Sequence, residues 1–299
     1  MKLLNKKIRQ LESKENDSTA ISRAASDKAA ELIKTLSGVE DKISKKIIDN
    51  FIVFTNSSGG TGASTLAHNV AYTASQKGLK VVLIDFNITC PIQHAYLGIR
   101  QEIDKPDLAG YLLGKNSLSD GIDTTNEINL LFSNNRTLMD EINCNNKIAI
   151  ENLNDMIQKL RQYYDLVIAD CPMRIDTLLH NTVLYSCDSI YVVWDEGISS
   201  IVNTEKLRRN MALSGIDSFT KMRLILNKRT SIHFSDYSIK KLNIELVEVL
   251  PFSIDVIDNS LRGKIFCEKA STSEKNANEF ARKVQVLTDK ILRISGYVE

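Results

Sequence analysis

A chain of 299 residues, 43% hydrophobic with four prolines, can bury one large α/β domain with a small appendage and is too apolar for disorder. Its net charge of +1 gives no global attraction to nucleic acid, while leaving a local basic patch open. Five scattered cysteines (Cys90, Cys144, Cys171, Cys187 and Cys267) form no CxxC pair or metal-like spacing, which fits a reducing cytoplasm. No run approaches the ~18 apolar residues of a membrane span, and residues 1–14 are too polar for an export signal.

Residues 1–49 are rich in Lys, Glu, Ser and Ala and carry no strand pattern. Apolar stripes through Leu4, Ile8 and Leu11, then Ala25, Ala29, Leu32, Ile33 and Leu36, then Val39, Ile43 and Ile47 predict a helical N-terminal extension. The first stripe lies among Lys2, Lys6, Lys7, Arg9 and Lys14, so weak peripheral membrane contact through residues 1–14 is a second use for what reads first as a solvated face.

From residue 50 to 299 short apolar runs alternate with helical segments, which predicts an α/β domain with a doubly wound, mostly parallel sheet. Strands are expected over 51–55, 80–85, 128–132, 165–170, 189–194, 222–227 and 246–251. Helices are expected after the first strand and over 148–163, 199–214 and 272–294. Trp194 is expected to pack in the sheet and the Tyr163–Tyr164 pair to cap a helix-to-strand corner.

The first strand runs into Ser58-Gly59-Gly60-Thr61-Gly62-Ala63-Ser64-Thr65 and then a helical pattern. Strand, glycine-rich turn and helix form the context of a phosphate-binding P-loop, whose backbone N–H groups turn inward at the positive end of a helix. Ser64 or Thr65 stands where a hydroxyl would hold Mg²⁺, but Ala63 stands where a lysine should reach the phosphates. Ligands of doubly wound sheets bind beyond the carboxyl ends of the strands, which singles out Asp85, Asp170, Asn227 and the Pro251–Phe252 pair.

Over residues 51–294 these motifs resemble the ParA/MinD group of P-loop ATPases with a deviant Walker A box. GGTGASTLAHNVA resembles that box, VVLIDFN the strand ending in DxD, YDLVIADCP the switch II strand, LILNK the adenine-reading motif, and VLPFSIDVIDNSLRGK the segment beside the base. GAST followed by LAHN is most similar to the TadZ/CpaE pilus assembly proteins, although the N-terminal extension is shorter than their usual receiver-like domain. The resemblance implies ATP cradled by the backbone of Gly59, Gly60, Thr61, Gly62, Ala63, Ser64 and Thr65, with adenine at Asn227 beside Pro251 and Phe252. It implies Mg²⁺ at Ser64 and Asp170, and Asp85 beside the metal or the attacking water.

Three departures remove hydrolytic machinery: Ser58 replaces the signature lysine, Ala63 the P-loop lysine, and Asn87 the second Asp of DxD. Arg174 is the candidate compensating cation, Lys228 is expected near the base, and His68 is expected to pack rather than react. The resulting expectation is a dimeric pseudo-ATPase that positions or assembles a pilus or secretion apparatus in the cytoplasm, at the pole or membrane periphery. The alternative is an active partition ATPase, with Lys206, Arg208, Arg209, Lys240 and Lys241 as a DNA-binding cluster.

Overall fold

The computed structural model describes residues 49–102, 105–124, 127–134, 142, 146–173, 177–230, 242–269 and 275–297. The expected helical extension therefore lies outside the described residues apart from residue 49, as do Arg174, Lys240, Lys241 and Cys144.

The strands are β1 (Phe51–Asn56), β2 (Val81–Asp85), β3 (Ile122–Asp123), β4 (Asn129–Leu131), β5 (Leu166–Cys171), β6 (Ser189–Trp194), β7 (Met222–Arg229) and β8 (Glu245–Pro251). They form one sheet in the order β3-β4-β2-β5-β1-β6-β7-β8, parallel except for the antiparallel β3–β4 edge. The helices, in chain order, are α1 (Ala63–Ser75), α2 (Gln93–Tyr96), α3 (Leu108–Leu112), α4 (Leu118–Gly121), α5 (Asn146–Tyr163), α6 (Leu178–Ser186), α7 (Ile198–Leu213), α8 (Ser218–Lys221), α9 (Ile254–Leu261) and α10 (Lys275–Ile294). The expected α/β parallel architecture is present. The β3 edge, the short helices α2, α3, α4 and α8, and helices α6 and α9 are additions to the expected set.

The central strands are continuous apolar runs because both faces are covered, as parallel strands require. Alternate residues of β1 serve different layers: Phe51 and Val53 pack with Leu153 and Met156 of α5, and Ile52 and Phe54 with Leu66 and Val70 of α1. In α1 the buried Ala63, Leu66, Ala67, Val70, Ala71 and Ala74 recur at helical spacing. The stripe Ala277, Phe280, Ala281, Val284, Leu287, Ile291 and Leu292 does the same for α10, which packs against α1 and β8. At roughly 1.5–3 kcal/mol for each large apolar side chain removed from water, these two stripes hold α1 firmly beneath the ends of the strands. Trp194 is buried as expected, its indole N–H donating to Thr204 Oγ1 at 2.7 Å. Tyr163 and Tyr164 form an edge-to-face pair where α5 gives way to β5, with the Lys80 ammonium 3.0 Å from the Tyr163 ring centroid.

Candidate functional site: a braced glycine loop over paired carboxylates

Between β1 and α1 the chain turns through a glycine-rich loop. Gly62 precedes α1 with φ 94° and ψ 22°, in the left-handed region. A Cβ there would lie 2.5 Å from Asn227 Nδ2, so both the conformation and the space demand glycine. No side chain caps the start of α1, which leaves its first N–H groups and its positive end turned to the cavity.

The loop carbonyls are held from outside. Asn203 Nδ2 donates to Ser57 O at 2.9 Å, and Asn56 Nδ2 to Ser58 O at 3.1 Å. Lys228 Nζ donates to Gly60 O, and Asn227 Nδ2 to Thr61 O at 2.8 Å. Lys228 reaches the loop from a left-handed backbone position, φ 56°, which is uncommon for a residue with a side chain. Ser57 is anchored by its N–H and hydroxyl on Val193 O, at 3.0 and 2.9 Å. With carbonyls drawn outward, successive N–H groups are left to face an anion.

A cavity of about 390 Å³ opens over this loop. Gly60, Thr61, Gly62, Ala63, Ser64 and Thr65 line it on the loop side. Asn227, Pro251 and Phe252 stand at one end, and Asn87, Tyr96 and Asp170 at another. Gly59 is exposed and, like Ser58, is not part of the lining. Val256, Ile257 and Leu261 of α9 add an apolar wall suited to a flat ring. Asn227 Oδ1 and Thr61 Oγ1 are buried beside the cavity and meet no hydrogen-bond partner.

Behind the loop, Asp85 and Asp170 end neighbouring strands in register. Burial first, and then the Asp170 charge, pushes the Asp85 carboxyl up to about 7. Asp85 is completely buried and absent from the cavity wall. Its oxygens accept from the N–H groups of Asn87 (3.0 Å), Ile92 (2.7 Å) and Gln93 (2.9 Å). Asp85 thus organises the turn after β2 rather than facing the cavity. Asp170 does line the cavity, and burial raises its carboxyl against hydrogen bonds from Ser64 and Gln93 that favour the charged form. Asn87 turns its amide to its own loop, donating to Cys90 O at 2.7 Å.

Gln93 and Tyr96 are site residues that the sequence reading missed. Gln93 is fully buried against Ser64 and Asp170, and Tyr96 reaches the cavity from the same short helix. They follow Asp85 by 8 and 11 residues in a segment without periodicity, so nothing in the local pattern marks them. His68 is packed, as expected, with its ring centroid 5.2 Å from that of Tyr96. Of the basic cluster on α7, Lys206 and Arg209 are exposed, while Arg208 donates to Leu242 O at 2.8 Å and lies over the Phe219 ring.

The residues present fit a magnesium nucleotide. Mg²⁺ takes one or two protein oxygens and completes its shell with phosphate and water, so Ser64 and Asp170 suffice without a dedicated cage. Among the described residues no cluster of three or more His, Cys, Asp or Glu suits any other metal. No described helix is long and apolar enough to cross a membrane.

A family model described as an AAA domain matches residues 49–222. The chain is 27% identical over 167 residues to the tyrosine-protein kinase CpsD of Streptococcus pneumoniae serotype 4, covering 55% of this chain and 70% of that protein. It superposes on the ParA family ATPase of Chlorobium tepidum TLS with a TM-score of 0.67 and 20% identity, covering 82% of this chain and 98% of that one. It also superposes on the septum site-determining protein MinD of Pyrococcus horikoshii OT3, solved with Mg-ADP, with a TM-score of 0.63 and 19% identity over 81% and 95% of the two chains.

Proposed function

The chain belongs to the AAA domain family and has the ParA/MinD-type P-loop fold, and from that premise we propose that it binds ATP with Mg²⁺ as a positioning or assembly factor that hydrolyses slowly or not at all. The observation that carries the reading is the division of labour in the cavity wall. The groups that would hold a nucleotide on this reading line the cavity, while positions 58 and 63 carry no lysine.

On this reading the N–H groups from Gly60 to Ser64 bind the phosphates. Asn227 offers its free Oδ1 to the amino group of adenine, with Phe252 and the α9 wall beside the base. Ser64 and Asp170 hold Mg²⁺, which when bound neutralises phosphate charge. No ammonium arises at position 58 or 63, and Lys228, the cation lining the cavity among the described residues, sits on the Gly60 carbonyl. Phosphoryl transfer rests on positioning and charge stabilisation. Loss of a single donor of this kind costs about 10²–10³ in rate. Two absent lysines and an inward-turned Asn87 therefore argue for binding without efficient turnover.

In keeping with the ParA/MinD fold, the acting unit is a homodimer. Its task is the placement of a pilus or secretion apparatus of the TadZ/CpaE kind, in the cytoplasm at the pole or membrane periphery. Partition-type DNA binding has less support, because Arg208 is already engaged within the domain.

The test is calorimetric titration of the full chain with ATP and Mg²⁺, with phosphate release followed in the same sample. Micromolar binding with negligible release is expected. Turnover on the order of 1 per second or faster would overturn the non-catalytic reading. Absence of binding at millimolar ATP would overturn the nucleotide reading altogether.

A further inference from the structure

Gln93 is completely buried, yet every polar atom of its side chain is used. Its Nε2 donates to Ser64 O at 3.0 Å and to Asp170 Oδ2 at 2.7 Å. The Ser64 carbonyl only accepts, so the amide nitrogen must face it. Oε1 is then turned to His68 Nδ1 at 3.2 Å, which fixes the proton on that ring nitrogen. His68 Nε2 is left buried without a partner. The backbone N–H of Gln93 meanwhile donates to Asp85 Oδ2. One residue thereby ties the start of α1, the end of β5 and the end of β2, the three elements that converge on the metal-holding pair.

We infer that Gln93 is a positioning residue for Mg²⁺, holding the Asp170 carboxylate and the Ser64 backbone in the arrangement that accepts the ion. The inference rests on the nucleotide reading above. A carboxamide suits the task for a specific reason. It donates to Asp170 Oδ2 without adding charge, so Oδ1 is not taken by Gln93 and no cation competes with Mg²⁺. Its second N–H locks the turn of α1 that carries Ser64, so the hydroxyl and carboxylate move as one unit. His68 acts at one remove, by keeping the carboxamide from rotating. Partners of this kind around a metal typically account for 10- to 100-fold in metal affinity.

The test compares ATP affinity in Mg²⁺ with ATP affinity in EDTA, for the wild-type chain and for Gln93→Met, which keeps the volume and removes the hydrogen bonds. The wild type is expected to bind more tightly with Mg²⁺. Gln93→Met should keep the EDTA affinity, which depends on the loop and Asn227, and lose about tenfold or more of the Mg²⁺ increment. His68→Phe leaves both Gln93 donors in place and should lose a smaller part. A full Mg²⁺ increment in Gln93→Met, whatever its melting temperature, would overturn the inference. So would an equal loss in Mg²⁺ and EDTA, which signals general damage to the loop. Should Gln93→Met fail to fold, an undiminished increment in His68→Phe overturns it. A wild-type chain that binds ATP in neither condition overturns the nucleotide reading itself, and the control separates that outcome from the others.

Discussion

Replacing His68 with phenylalanine isolates what it costs to keep an imidazole in the dry space behind the glycine loop. The ring is completely buried, and burial lowers its pKa from 6.5 to about 4 against smaller opposing effects of hydrogen bonds with Gln93 and Ser64. Because the folded value lies below the unfolded one, the related stability is present above pH 6.5 and is lost as pH falls from there through 4. At 1.36 kcal/mol per pKa unit, the loss is about 0.2 kcal/mol at pH 7, about 2 kcal/mol at pH 5, and approaches about 3 kcal/mol below pH 4. Asp85 works in the opposite sense. Its carboxyl is raised from 3.8 to about 7, so its stability is present below pH 3.8 and is lost as pH rises towards 7. The raised Asp170 carboxyl acts in the same sense as Asp85, so the histidine and carboxyl effects oppose one another between pH 5 and 7. His68→Phe removes one of them. The donor lost to Gln93 costs the same at both pH values and drops out of the comparison. Urea unfolding of both proteins should show the variant gaining about 2 kcal/mol on the wild type between pH 7 and pH 5. A difference constant to within about 0.5 kcal/mol would refute the assignment of a neutral buried imidazole.

Gly62→Ala forces a side chain into a left-handed position, at about 1–2 kcal/mol, and drives Asn227 off Thr61 for about another 1. A melting temperature lowered on the order of 5 °C, with weaker ATP binding, is expected, and an unchanged pair of values would sink the argument. Ala63→Lys returns an ammonium to the cavity wall, where attraction of about 4 kcal/mol at close range is reduced by about 2 kcal/mol of side-chain ordering. Calorimetry should then show ATP affinity rising by about tenfold or more, and no rise would mean that the phosphates do not lie against residue 63.

The parts of the fold most legible in the sequence are those whose burial is symmetrical. Strand β6 is predicted over 189–194 and observed as Ser189–Trp194, because a strand covered on both faces is an unbroken apolar run bounded by Asp188 and Asp195. Helix α6 was hidden because it is short and its exposed Leu178 and Tyr185 blur the stripe made by the buried Leu179, Val183 and Leu184. The β3 edge, two residues long, is a matter of pairing and not of propensity. At the site, chain order puts Asp85 and Asp170 at the ends of strands, and the register sets them side by side. Which of them faces the cavity depends on where the turn after β2 sends its N–H groups. Three of those groups point at Asp85, a fact that belongs to the path of residues 87–93 and leaves no trace in composition.

The bracing of the glycine loop separates two properties that a P-loop lysine usually supplies together. A lysine attracts phosphate and also stabilises charge as the phosphoryl group departs. The loop's shape, in this chain, comes from elsewhere: Asn56, Asn203, Asn227 and Lys228 each hold one carbonyl, and they arrive from β1, α7 and β7. Asn56 accepts in turn from the N–H of Met173, just beyond β5, so the loop and the segment after Asp170 are fixed together. Backbone N–H groups held in place need no reorganisation to meet an anion, which favours binding. They carry only partial charges, and where they meet phosphate oxygens whose charge does not grow during transfer they act on ground state and transition state alike. Binding that is uniform across the two states does not accelerate a reaction. Neutral amides holding most of the loop, with Lys228, the cation in its lining among the described residues, kept on a carbonyl, are what the proposed seat would need to retain a nucleotide without drawing it toward hydrolysis.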